Sequence, residues 1–304
     1  QCLLMKLKIF YNPKQSATRN DSFSPSATKP AKNIDFLLKL KLPVEICNFK
    51  PLTIGEISLA HDPAYVNGIM GLHLNNGFSN KLPEVRDALP YTTGSFVAAA
   101  LYAFKNREPA FSPTSGFHHA RYASAHAYCT FEGLAIATVF LKQHGAKRVG
   151  ILDCDMHSPQ TMEIIKRLGL EEFVHHYAFG DNEICASTAE QWLDSLPAVV
   201  TAFKGCDVLL YQAGADPFVL DNLGGVLTKE QLYRRDKIVF ETAKKMDIPV
   251  CWNNAGGYSE PFQHVLNIHA NTVIAACKVY GYLNSRDEPF ICSWVESFPK
   301  AKEV

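Results

Sequence analysis

Apolar and polar positions along the chain fall into two alternating periods. Residues 6–11 (Lys-Leu-Lys-Ile-Phe-Tyr) alternate polar with apolar, the period of a half-buried strand. Residues 31–42 place Ile34, Leu37, Leu38 and Leu42 at helical spacing and stop at Pro43. Residues 44–49 predict a short strand, Thr53-x-x-Glu56 a helix opened by a capping box, and Asp62-Pro63 a second start. An Ala-rich helix is expected through residues 96–101, reached by way of Thr92-Thr93-Gly94-Ser95, and another over 127–144, ended by Gly145. Further helices are expected over 158–168, 188–203 (interrupted near Pro197), from Thr228-x-x-Gln231 to Met246, and over 260–283. Between them lie residues 110–117 as strand and loop, 173–179 as a strand, and three uncharged apolar runs at 149–152, 208–213 and 248–253. Such runs read as strands buried on both faces. The alternation predicts the α/β class: a single domain whose mainly parallel central sheet is flanked by helices on both faces.

Chemistry collects where the apolar runs end. Strand alternation would send Asp153, Asp155 and His157 to one side, and Cys154 and Met156 to the other. Open parallel sheets bind ligands at the carboxyl ends of their strands, so Asp155 and His157 are candidate metal ligands. The same Asp-x-Asp-x-His can also simply cap the next helix and satisfy loop amides. A second run ends on Asp216 after Gly214-Ala215, and a third leads to Gly256-Gly257-Tyr258. The junction after residue 110 delivers His118-His119. Two Asp and one His leave open positions for water and substrate, the pattern of a catalytic zinc site.

Composition narrows the class. The 304 residues are 47% hydrophobic with no Gly/Ser/Pro-rich linker, which favours one domain, taken as residues 5–300. Formal charge is zero, so no nucleic-acid surface or membrane-binding helix is indicated. Nine scattered cysteines without a Cys-x-x-Cys pair read as reduced thiols. Gln1-Cys2-Leu3-Leu4 is too short for a signal-peptide core and leaves open a start at Met5. With no apolar run long enough to span a bilayer, a cytoplasmic, reducing setting is expected. The Ser-, Asn- and Pro-rich stretch 12–30 is a long loop.

Four motifs, in order, carry a resemblance: Ser115-Gly116-Phe117-His118-His119-Ala120, Asp153-x-Asp155-x-His157, Gly214-Ala215-Asp216-Pro217 continuing to Asp221-x-Leu223-Gly224-Gly225, and Gly256-Gly257-Tyr258. From about Met5 to Leu283 the sequence resembles a histone deacetylase of the zinc-dependent superfamily with the arginase-like fold. Arg234-Arg235-Asp236-Lys237-x-Val239-Phe240 adds a class IV or bacterial flavour. The resemblance implies Asp155, His157 and Asp216 as zinc ligands, His119 as general base and acid, and His118 as its electrostatic partner. It implies Asp153 as the carboxylate orienting His118, with Gln160 fixing the tautomer of His119, and Tyr258 as the hydroxyl that stabilises the oxyanion. Potassium is implied near Asp153, Asp155 and His157. Gly116, Phe117, Tyr128, Phe179, Leu223, Gly256 and Gly257 are the implied substrate-binding residues, with Tyr128 and Phe179 facing across a narrow tube and Phe117 backing the histidines. Taken alone, Phe179 reads as ordinary core.

The implied activity is hydrolysis of acetyl or longer acyl groups from lysine side chains of proteins or peptides. Leu223 stands where relatives that cleave acetylated polyamines carry a glutamate, which favours lysine over a polyamine. An acetylpolyamine or other small-amide deacetylase and an acyl-lysine-binding pseudoenzyme are the alternatives. Two departures stand out. Ser158-Pro159-Gln160-Thr161 replaces a His-Gly-Asn/Asp-Gly continuation, predicting a stiffer loop. Ser79 and Asn80 stand near the position of a substrate-anchoring aspartate. His61, His73, His126, His144, His264, His269 and the pair His175-His176 lack partners at ligand spacing and read as surface or core residues.

Overall fold

The computed structural model describes residues 5–283. The uncharged runs become strands because helices cover them on both faces. The strands are β1 (Leu7–Phe10), β2 (Val44–Cys47), β3 (Ala110–Ser112), β4 (Val149–Asp153), β5 (Val174–Ala178), β6 (Val208–Gln212) and β7 (Val250–Asn253). They form one seven-stranded sheet in the order β2-β1-β3-β7-β6-β4-β5, and every pairing is parallel. The helices are α1 (Lys29–Lys39), α2 (Ile54–Ile57), α3 (Pro63–Met70), α4 (Pro83–Asn106), α5 (Gly133–Gln143), α6 (Thr161–Arg167), α7 (Ala189–Thr201), α8 (Lys229–Lys245) and α9 (Gln263–Tyr280). Leu209, Tyr211 and Trp252 join the core with α1 and α7 to α9, while Val208, Leu210 and Cys251 join α3 to α6 on the other face. Trp252 is wedged between Phe111, stacked at 5.1 Å, and Phe240, edge-on at 5.0 Å. Burying a side chain of that size contributes roughly 2–3 kcal/mol.

Several boundaries differ from the sequence expectation, each for a local reason. The long Ala-rich helix α4 starts at Pro83, nine residues before Thr92, and runs through Pro90. Proline suits its first turn, and the Pro90 carbonyl accepts the Leu52 amide at 3.0 Å. α5 starts at Gly133 instead of residue 127 because Ala127 and Tyr128 both have positive φ. The buried Glu132 carboxylate then caps the amide of Ala135. α7 continues past Pro197 without a break. α6 begins at Thr161, leaving Ser158-Pro159-Gln160 as loop. β4 ends at Asp153, so Asp155 and His157 are not strand residues, and the simple alternation does not place them.

The predicted capping box of Thr53 with Glu56 is formed, and Thr228 with Gln231 forms a second one where α8 was expected to start. His175 and His176 lie in β5, where His175 packs edge-on against Phe203 at 4.7 Å. Among the described residues no helix is long and apolar enough to cross a membrane. The seven cysteines within 5–283 are all free, and Cys2 and Cys292 lie outside the described residues.

Candidate active site

The register of the four central strands builds a buried polar row at their carboxyl ends. Ser112 pairs with Asn253, Asn253 with Gln212, and Gln212 with Asp153. A polar side chain is tolerated there only if it is bonded, and these bonds shape the loops above. Asn253 Nδ2 donates to the Ser115 carbonyl at 3.1 Å, and Gln212 Oε1 accepts the Phe117 amide at 3.2 Å. Gln212 Nε2 donates to Asp153 Oδ2 at 2.9 Å, and Asp153 Oδ1 accepts the Asp155 amide at 3.0 Å. The row thus fixes the loop that carries His118 and the turn that carries Asp155.

Asp155, His157 and Asp216 converge: one ligand atom from each lies within 4.8 Å of the others. His157 Nδ1 lies 3.2 Å from Asp155 Oδ1 and 3.0 Å from Asp216 Oδ2. Its Nε2–H donates to the Leu223 carbonyl at 2.8 Å, which fixes the tautomer and leaves Nδ1 free to coordinate. The Gly256 amide donates to Asp155 Oδ2 at 2.8 Å. A Cβ at Gly256 would stand 2.6 Å from Asp216 Oδ2 and 2.7 Å from Asp155 Oδ2, so only glycine lets this backbone reach both carboxylates. Burial pushes the Asp216 carboxyl up to about 8, and the Asp155 charge beside it adds to the effect. Burial would raise Asp155 too, but His118 and His157 hold it well below the usual range. Hydrogen bonds to the two carboxylates push His157 up to about 11. Two buried carboxylates facing one imidazole form a donor set that fits a divalent cation.

The tandem histidines differ in their partners. His118 Nδ1–H donates to the Asp153 carboxylate at 2.7 Å, and its Nε2 lies 3.4 Å from Asp155 Oδ1. Burial alone would lower His118, but Asp153 and Asp155 raise it to about 9. His119 Nδ1–H donates to Gln160 Oε1 at 3.1 Å, a neutral acceptor. Burial first, then the neighbouring His118, lower it to about 4. Gln160 is itself held, its amide donating to the His118 carbonyl at 2.7 Å and its Nε2 to the Ser158 carbonyl at 3.2 Å. The segment after His157, Ser158-Pro159-Gln160, therefore supplies the residue that orients His119. Tyr258 shares a small pocket with His118, His119, Asp155, His157 and Gly256, and its hydroxyl bonds Ser26.

Comparison with known proteins agrees with this geometry. Residues 26–165 match the histone deacetylase domain family, a segment that holds both histidines, Asp153, Asp155, His157 and Gln160. Over that segment the chain is similar to the histone deacetylase domain. The family is one of deacetylase-type hydrolases. An uncharacterized protein of Picosynechococcus sp. is 26% identical over 262 residues, covering 74% of this chain and 82% of that protein. Histone deacetylase 10, chloroplastic, of Oryza sativa subsp. japonica is 26% identical over 185 residues, 51% of this chain and 41% of that protein.

Around the pocket, some expected wall residues are present and others are not. Gly116, Tyr128 and Gly256 line it. Phe117 stands behind the histidines, packed on Phe96 at 5.2 Å, and Leu223 is 38% exposed beside His157. Phe179 does not face Tyr128: it is buried in the core against Trp192 at 4.7 Å, because the chain turns inward directly after β5. Gly257 packs beneath the pocket against Ala215 and Val265. Near Tyr128 stands Phe23 instead, 63% exposed and edge-on to that ring at 5.7 Å, from the long loop before α1.

Sequence reasoning missed several supporting residues of the site. Asp221 accepts the Tyr258 amide at 2.6 Å and the Ser259 hydroxyl at 3.1 Å. The buried Lys29 donates to the Ala255 carbonyl at 2.7 Å. Arg235, also buried, donates to the carbonyls of Cys154 at 3.2 Å and Gly214 at 2.7 Å. Asp221 was visible as part of a motif, but Lys29 and Phe23 carried no sequence signal. Ser79 has positive φ, and Asn80 is committed to the Asn20 carbonyl at 2.6 Å.

Proposed function

We propose that the chain is a zinc-dependent amidohydrolase that removes an acetyl or longer acyl group from the lysine side chain of a protein or peptide. The convergence of Asp155, His157 and Asp216 beside two differently partnered histidines and Tyr258 supports this reading. A zinc ion held by those three side chains supplies a water of lowered pKa and a Lewis acid for the amide carbonyl. His119, neutral and bonded to Gln160, takes the proton of the attacking water and returns it to the departing amine. His118, held by Asp153, stays cationic and stabilises negative charge at its Nε2. The Tyr258 hydroxyl donates to the carbonyl oxygen as that oxygen gains charge. The rings of Tyr128 and Phe23 cover the lysine methylenes.

Potassium near Asp153, Asp155 and His157 remains part of the proposal. Since these side chains are committed to other partners, the backbone carbonyls of the loop are the donors left for it. The catalytic unit is proposed to span residues 5–300, of which 284–300 lie outside the described residues. The exposed, uncharged Leu223 offers no attraction to a second amine, which disfavours an acetylated polyamine.

The test pairs metal analysis of the purified chain with turnover of an acetyl-lysine peptide and of an acetylated polyamine. Zinc near one equivalent and peptide cleavage are expected, with Tyr258→Phe lowering kcat about a hundredfold while keeping the metal. Cleavage of the polyamine alone would overturn the substrate, and unchanged hydrolysis by Tyr258→Phe would remove the oxyanion role.

A further inference from the structure

Tyr258 is held by a segment that the sequence marks only as a long polar loop. The Phe23 ring lies 6.4 Å from the Tyr258 ring, and Lys29 Nζ stands 5.8 Å over it. Between them Ser26, in a single 3-10 turn at Pro25–Ala27, bonds the phenol hydroxyl. That turn is fixed from several sides. Asn20 Nδ2 donates to the Ser24 carbonyl at 2.8 Å, the Ser22 hydroxyl accepts the Ser24 amide at 3.2 Å, and Ser115 Oγ donates to the Ser26 carbonyl at 2.9 Å. Its hydroxyls run in one direction. Ser24 Oγ accepts the Ser26 amide at 3.3 Å and donates its own proton to Ser26 Oγ at 3.0 Å. Ser26 in turn donates to the Tyr258 oxygen, the sense that favours negative charge there. Both serines are buried, so water does not compete for these bonds. A hydroxyl carries one proton, and Tyr258, receiving the proton of Ser26, must send its own elsewhere. The space open to it is the pocket that it lines with His118, Asp155 and His157.

We propose that Ser26 is a positioning residue for the hydrolysis: by donating to the Tyr258 oxygen it turns the tyrosine proton toward the substrate carbonyl and makes it a stronger donor. The inference rests on the hydrolase reading above, in which Tyr258 supports the oxyanion. Hydrogen bonds in a chain polarise one another, and this chain, Ser24 to Ser26 to Tyr258, ends on the oxygen that gains charge. No proton changes owner. Each hydroxyl keeps its own, and the chain acts by orientation and polarisation alone. Because the chain is assembled before substrate arrives, the donor need not be reoriented during the reaction. Its benefit grows with the charge on the substrate oxygen, so it belongs to the transition state and not to the bound substrate.

The experiment measures kcat and KM of the zinc-loaded full chain on one acetyl-lysine peptide, for wild type, Ser26→Ala, Ser26→Thr, Tyr258→Phe and the double variant Ser26→Ala with Tyr258→Phe. Ser26→Ala is expected to lower kcat about tenfold, the worth of one hydrogen bond, with KM and zinc content unchanged. Ser26→Thr restores the hydroxyl and should return kcat to within about threefold of wild type. The double variant decides between positioning and mere support of the loop. With the phenol hydroxyl gone, losing Ser26 should cost nothing further, so the double variant should match Tyr258→Phe; a loop defect would multiply the two losses. Unchanged or faster turnover by Ser26→Ala, a tenfold loss that persists beside Tyr258→Phe, or loss of zinc in Ser26→Ala overturns the role of Ser26 and leaves the hydrolase reading standing. Wild-type turnover by Tyr258→Phe overturns the oxyanion role itself, and no cleavage by the wild-type chain overturns the reading on which both rest.

Discussion

Arg235→Met tests whether the buried charge pair under the site stabilises the loops above it. The guanidinium is fully buried, and its Nε lies 2.9 Å from Asp236 Oδ1 while its Nη1 meets the carbonyls of Cys154 and Gly214. Asp236 in turn accepts the Tyr211 hydroxyl and, at 2.6 Å, that of Thr272. Removing the arginine leaves a buried carboxylate without its counterion and two carbonyls without their donor. Breaking one side of such a pair costs about 3–5 kcal/mol, a large share of a total stability of about 5–15 kcal/mol. Methionine keeps much of the side-chain volume, so the loss is electrostatic and not a cavity effect. Urea denaturation followed by tryptophan fluorescence and far-UV circular dichroism gives the difference, read from midpoints at constant slope. Adding Asp236→Asn to the methionine variant removes the stranded charge and keeps an acceptor for Tyr211, so the double variant should recover roughly half the loss. A single-variant loss below about 1 kcal/mol, or a double variant less stable than the single, would refute the reasoning.

Three further outcomes can be measured directly. Asp216→Ala should lose metal and activity together, and stoichiometric zinc retained in the folded variant would count against its place as a ligand. Gly256→Ala forces a methyl into both carboxylates and should cost at least tenfold in metal affinity by chelator competition; wild-type affinity would show that the backbone relaxes there. Burial pushes the Glu132 carboxyl up to about 7, against the Ala135 amide and the Thr161 hydroxyl that favour its charge. Between the ordinary glutamate range and pH 7 the folded chain keeps a proton that the unfolded chain releases, so this group lowers stability as pH rises through that window, by roughly 3 kcal/mol in full. Glu132→Gln should remove that slope, and urea midpoints at pH 5 and 8 that fall in parallel for both proteins would contradict it.

The α/β architecture was legible because the strand cores are uncharged and the helices between them carry strong apolar spacing, as at 31–42. The chemistry was legible where it sits in short motifs beside strand ends, and the partners expected for His118 and His119, Asp153 and Gln160, are the ones found. What failed did so through long-range packing. Phe179 has the right residue type for a channel wall, but its direction is set by Trp192 of α7, which no local pattern reveals. Phe23 lies in a polar loop whose course depends on α4 and on the Asn80 contact with Asn20. Arg235 stood out only as part of a charged run, yet Arg234 beside it pairs with Glu190 at the surface while Arg235 turns inward. One residue of helical rotation separates a solvent ion pair from a clamp under the site.

The polar row that joins Ser112, Asn253, Gln212 and Asp153 also sets an order for the making of the protein. During synthesis the histidines and the Asp153-to-His157 turn emerge first, yet Asp153 cannot meet Gln212, nor Asp155 the amide of Gly256, until β6 and β7 have left the ribosome and inserted between β3 and β4. Asp153 and Asp155 therefore lack these two donors through about a hundred residues of further translation, at ordinary elongation rates for several seconds. Central strands that come late also mean that β1 to β3 and β4 to β5 are separate pieces until then, held open for the insertion that completes the sheet.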